Sequence, residues 1–103
     1  MSFSSLPANV TVERGGKASF ICTYPCTDVN ITWNGPGVEA GIIMSMMETK
    51  DNTSSKTSNL TITNVNSSHV GKYFCTAQIS EDVVVNSIAA YLTVKCKYTE
   101  LGK

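Results

Sequence analysis

Apolar and polar residues alternate along most of this chain, and no stretch sustains a helical period. Ala18, Phe20 and Cys22 fall on one face of the run from Lys17 to Tyr24. Val29, Ile31 and Trp33 repeat the pattern, as do Leu60 and Ile62, with Asn59, Thr61 and Thr63 on the opposite side. Tyr73, Cys75, Ala77 and Ile79 make another inward row, and Ala90, Leu92 and Val94 the last. A period of two means strands with one face buried. Ile42 to Met47 is apolar but less regular, which suits an edge strand. Between the rows stand turn signals: Gly15-Gly16, Asn34-Gly35-Pro36-Gly37, the polar run from Thr49 to Ser58, and Ser67-Ser68. Several short strands with regular turns predict an all-β fold, a two-sheet sandwich.

The chemistry of four cysteines sharpens that reading. In a sandwich two facing cysteines can bridge the sheets, and Cys22 and Cys75 both lie on inward rows, with Trp33 placed to pack on the bridge. Tyr73 precedes Cys75 by two residues, so its ring faces the core while its hydroxyl reaches back to the preceding turn, and Gly71 permits that turn. These are scaffold residues. Cys26 and Cys96 remain. Cys96 lies in a polar exit segment, 96–103, that reads as a membrane-proximal stalk after a domain spanning 1–95, and it is the candidate for an interchain disulfide. A free thiol, or pairing beyond this segment, are the alternatives. Strand geometry sets Cys26 and Cys96 too far apart to join each other, because a disulfide needs Cα atoms within about 7 Å.

A short chain with this many cysteines predicts an oxidising compartment. Five Asn-x-Ser/Thr acceptors, at Asn9, Asn30, Asn52, Asn59 and Asn66, point the same way and exceed what chance placement would give. The 103 residues carry 8 basic and 8 acidic side chains, so phosphate neutralisation gives no basis for a nucleic-acid partner. No apolar run reaches 18 residues, so any membrane contact is expected only through segments outside this sequence. His69 is the one histidine, and the carboxylates Glu39, Glu48, Asp51, Glu81 and Asp82 are scattered. No triad, metal cluster or phosphate loop can be assembled from them, so no enzyme, cofactor or metal is expected.

The set Cys22, Trp33, Leu60-Thr61-Ile62 and Gly71-x-Tyr73-x-Cys75 resembles the immunoglobulin superfamily. The resemblance implies an immunoglobulin-like β-sandwich with one intersheet disulfide, of the I-type or a short variable type. The last strand lacks the Phe-Gly-x-Gly-Thr of rearranged antigen receptors. Where most relatives carry an Asp, His69 stands. Three segments, Gly15 to Cys22, Asn64 to Cys75 and Ala90 to Val94, further resemble the Ig-alpha-type chains of B-cell antigen receptors. Such chains carry a partner-bonding Cys where Ile88 stands here.

That resemblance implies the extracellular side of a cell membrane and a non-catalytic signalling subunit. Its partner would be a second immunoglobulin-superfamily chain, in a hetero- or homodimer, together with a membrane antibody. A receptor with its own ligand, of co-stimulatory or natural-killer type, and a homophilic adhesion domain are the other readings. The expected interface is the sheet face bearing Phe74 and Tyr91, with Met44, Met46 and Met47 on a neighbouring edge. The loop from Ile79 to Ser87 is a second candidate.

Overall fold

The computed structural model describes residues 3–95, which form two sheets packed face to face. Eight strands follow in chain order: β1 (Val10–Glu13), β2 (Ala18–Tyr24), β3 (Asn30–Asn34), β4 (Ile42–Lys50), β5 (Thr53–Ile62), β6 (Gly71–Gln78), β7 (Val84–Asn86) and β8 (Ala90–Lys95). One sheet runs β1-β8-β6-β3, with β7 also paired to β6, and the other runs β2-β5-β4. The segment before β1 adds to the second sheet through a bridge from Ser5 to Thr23. The cysteine spacing and inward rows therefore yield the two-sheet sandwich that the alternation predicts.

The inward rows supply the core. Phe20, Cys22, Leu60, Ile62, Tyr73, Cys75, Ala77 and Leu92 are all fully or almost fully buried. Cys22 of β2 and Cys75 of β6 are disulfide-bonded across the sheets, with Cα atoms 6.6 Å apart. Trp33 is the ladder partner of Cys75, and its indole N–H donates to Ser58 Oγ at 2.9 Å. Ser58 is itself the ladder partner of Cys22 and fully buried. Its hydroxyl satisfies the one polar atom that a core tryptophan brings with it. Ser58→Ala leaves that N–H unpaired and is expected to destabilise the domain by about 1–3 kcal/mol. Urea titration measures it, and a loss near zero would mean that the bond carries no weight.

Tyr73 ties together both turns at its end of the sandwich. Its hydroxyl donates to the His69 carbonyl at 2.6 Å and accepts from the Gly37 amide at 2.7 Å. Its ring stacks on Phe20 with centroids 4.8 Å apart. Gly35 passes so close to that ring that an added Cβ would lie 2.2 Å from it, so only glycine fits. Gly71 has φ +149°, which explains the glycine at the entry to β6.

Two sequence expectations are corrected. The polar run from Thr49 to Ser58 is not a turn region. Only Asp51 and Asn52 turn, both with positive φ, and β4 and β5 pair on either side from Lys50↔Thr53 up to Ile42↔Thr61. A two-residue turn with both φ positive matches the twist of a hairpin, and Asp and Asn tolerate it. The inward row of β6 also stops at Ala77: the strand ends at Gln78, and Ile79 is exposed.

Candidate interaction surfaces

Among the described residues the space between the sheets is filled by the buried core, and the side chains open to a partner stand on the outer faces and loops. The β3-β6-β8 face presents Thr32, Phe74, Thr76 and Tyr91 outward. Tyr91 is 52% exposed and Phe74 half-buried. Tyr91 is the ladder partner of Lys72, and Asn34 that of Phe74. The edge opposite Phe74 holds a one-residue bulge. β7 pairs with β6 as Thr76↔Asn86, whereas β8 pairs as Tyr73↔Ala90, so the register slips by one between them. Ser87 holds the slip: its amide donates to the Cys75 carbonyl, and its Oγ accepts from the Cys75 amide at 3.0 Å. Ile88 is thereby turned outward and exposed. Sequence reasoning missed the bulge, because a serine bonding its neighbours' backbone leaves no mark on apolar periodicity.

Met44 and Met46 do not adjoin this face. Strand β4 pairs with β5 alone, so both methionines stand on the outer face of the opposite sheet. The expected continuous surface with Phe74 and Tyr91 is therefore two surfaces on opposite sides of the sandwich. The reason is the route from β3. Residues 35–41 turn through a short 3₁₀ segment at Val38–Ala40 and pass straight to the second sheet, adding no further strand beside β3. The facing sheet thus ends early and leaves β4 overhanging. Even Ile43 is 44% exposed, although its ladder partner Leu60 is fully buried. Ile42 and Ile21 join Met44 and Met46 among the exposed apolar residues of this outer face.

The loop from Ile79 to Ser87 is a tight hairpin. Ile79 N–H donates to the Val83 carbonyl at 2.9 Å, and β7 begins at Val84. Val83 and Val84 are exposed beside Ile79 and form a small apolar tip.

The acceptor asparagines are distributed over both faces and the turns. Asn52 occupies the β4–β5 turn and Asn30 the start of β3. Asn9 precedes β1, and its Oδ1 accepts from the Tyr91 amide at 2.9 Å. Asn66 caps the 3₁₀ turn at Ser67–His69. Asn59 stands mid-strand on β5, outward, between Ile21 and Met44.

His69 is accounted for by the same turn. Its Nδ1 accepts from the Asn66 amide at 3.1 Å, while Asn66 Oδ1 accepts from the Ser68 amide at 2.8 Å. This reciprocal cap satisfies amides that a short helical turn leaves bare. With Nδ1 engaged and the ring buried, His69 is not placed as a surface base. Burial pushes the Tyr73 hydroxyl above its ordinary value of 10.0, partly offset by the bond from Gly37. No group of three or more His, Cys, Asp or Glu side chains among the described residues is placed to hold a metal ion. No helix among them is long and apolar enough to cross a membrane.

Cys26 is free, half-buried and packed against the core in the loop after β2. Cys96, the stalk 96–103 and the interchain bond expected there lie outside the described residues. Lys95, the last residue of β8, pairs with Glu13 near the start of β2, whereas Cys26 follows the end of β2.

The model of the immunoglobulin domain family matches residues 2–78. No curated protein matches the chain. Among solved structures, a chimeric titin Z1Z2 functionalised with a peptide from decorin is similar at 20% identity with a TM-score of 0.67, over 93% of this chain and 94% of that one. Domain I10 from titin is similar at 22% identity with a TM-score of 0.67, over 91% of this chain and 97% of that one. Identities this low speak for the fold alone. Together with the intersheet disulfide, the tryptophan packed beside it and the tyrosine corner, the family match places this chain in the immunoglobulin domain family.

Proposed function

We propose that this domain is the extracellular part of a leukocyte membrane receptor complex, a non-catalytic subunit that pairs with a second immunoglobulin-superfamily chain as an Ig-alpha chain does beside a membrane antibody. The observation that carries this reading is the cap between Asn66 and His69. The residues that distinguish the resemblance, Asn64-Val65-Asn66 and Ser68-His69, are not scattered matches. They build one turn whose buried members, Val65 and His69, lock it to the Tyr73 corner. Exposed Tyr91 and Ile88 on the β6–β8 face supply an apolar surface of the kind that protein partners cover. The five acceptor asparagines are consistent with a secreted, sugar-bearing chain.

The test is co-expression in animal cells with an Ig-beta-type chain and a membrane antibody, followed by intact mass with and without reductant. A reducible heterodimer that disappears in Cys96→Ser is the expected result. A chain that stays monomeric beside every candidate partner sinks the proposal. A second reading, a receptor with its own ligand, is favoured by the exposed Ile79, Val83 and Val84 at the β6–β7 hairpin. A ligand captured by this domain alone and lost on Val83→Asp would support it.

A further inference from the structure

The β2-β5-β4 sheet exposes apolar side chains on its outer face, with a polar acceptor at their centre. Three cross-strand rows build that face: Ser19, Thr61 and Ile42; Ile21, Asn59 and Met44; Thr23, Thr57 and Met46. Two of the rows are knitted by hydroxyls, Ser19 to Thr61 at 3.2 Å and Thr23 to Thr57 at 2.9 Å. The middle row is not. There Ile21 and Met44 flank Asn59 across a shallow hollow of about 290 Å³ that Met46 and Thr57 complete. Asn59 Oδ1 accepts from Thr61 Oγ1 at 3.1 Å, and its Nδ2 makes no hydrogen bond among the described residues.

We infer that an N-linked sugar on Asn59 covers this hollow and shields Met44 and Met46. The inference rests on the extracellular reading above. It goes further by assigning one acceptor a structural task. Asn59-Leu60-Thr61 is the one acceptor whose neighbours on both flanking strands are exposed and apolar. In the attachment step, Asn59 Nδ2 bonds to the anomeric carbon of N-acetylglucosamine on a lipid-diphosphate-linked donor. The bond from that carbon to the diphosphate breaks, the diphosphate leaves with the electron pair, and the amide gives up one proton. A sugar seated there lays its C–H faces over Ile21, Met44 and Met46 and keeps its hydroxyls in water. It thereby blunts an edge strand that would otherwise invite association.

Strand β4 carries its own control. Met44, Met46 and Met47 are 69%, 68% and 67% exposed, so the bare protein offers all three equally to an oxidant. Met44 and Met46 share the face of Asn59, whereas Met47 points to the other side, opposite Lys56. The experiment secretes the chain from animal cells, maps sugar occupancy at each acceptor by glycopeptide mass spectrometry, and follows sulfoxide formation at each methionine under dilute hydrogen peroxide. The expected result is an occupied Asn59 with Met44 and Met46 oxidising about threefold or more slowly than Met47. That difference vanishes in Thr61→Ala, or after enzymatic removal of the sugar from the folded protein. Asn59 left bare while other acceptors are occupied overturns the inference and leaves the extracellular reading standing, as does an occupied Asn59 with three equal rates. No sugar at any acceptor overturns both.

Discussion

Replacing either cysteine of the core bridge, Cys22→Ala or Cys75→Ala, is expected to abolish or nearly abolish the folded state under oxidising conditions. The bridge closes a loop with a sequence separation of 53. Opening it returns chain entropy to the unfolded state worth about 4 kcal/mol in the loop-closure account. Both sulfurs are fully buried, so the substitution also removes packing beside Trp33. For a domain of this size, about 4 kcal/mol lowers Tm by roughly 20 °C or more and approaches the whole stability of many small domains. Thermal melts followed by near-ultraviolet circular dichroism are the check, with reductant-treated wild type as the reference. Variants that melt with the wild type would mean that the core alone holds the two sheets together.

Tyr73→Phe is expected to have the second largest effect, although it deletes a single oxygen. That oxygen accepts from Gly37 and donates to the His69 carbonyl, and so pins the β3–β4 turn and the 3₁₀ turn to β6. Without it, a buried donor and a buried acceptor are left unpaired, a loss of about 2–4 kcal/mol. The ring is retained, so stacking on Phe20 is kept and the effect isolates the hydrogen bonds.

The same residue gives a pH signature. Burial holds the folded-state hydroxyl above its ordinary 10.0, so the folded protein keeps a proton that the unfolded chain releases. This contribution is fully present below pH 10 and is lost as pH rises from there through the folded-state value. Wild type should therefore lose stability more steeply above pH 10 than Tyr73→Phe does. Urea unfolding from pH 8 to 11 measures this, and parallel curves would show that the hydroxyl is not held in its neutral form.

Much of the scaffold was legible because burial on one face of a strand writes a period of two. Ala18, Phe20 and Cys22, or Ala90 and Leu92, must alternate if they are to meet the core and leave their neighbours in water. The hairpin of β4 and β5 was illegible for the opposite reason. Its outer half touches no core, so nothing forces alternation there. Its polar residues instead pair across the strands, as Thr49 does with Ser54 at 3.2 Å. The turn itself is Asp51-Asn52, without the glycine that marks most such turns. Ile79 misled in the other way: it kept the inward parity of β6 but fell one residue past its end.

For the candidate surfaces, the sequence by itself determined which side chains face away from the core, since parity along a strand decides that locally. Phe74, Tyr91 and Asn59 follow from it, whereas the irregular apolar run of β4 left the facing of Met44 open. It also determined the bridge and the tyrosine corner, because their spacing belongs to one architecture. Only the tertiary structure decided which outward residues share a surface. The chain leaves β3 and crosses at once to pair β4 with β5, and that choice of neighbour sets Met44 beside Asn59 and Ile21, with the whole sandwich between it and Tyr91. Strand pairing is a long-range contact between segments whose local patterns are compatible with either sheet. Leu60 and Ile62 face the core from β5, and the pairing of Ile43 with Leu60 thereby sets which face of β4 turns outward.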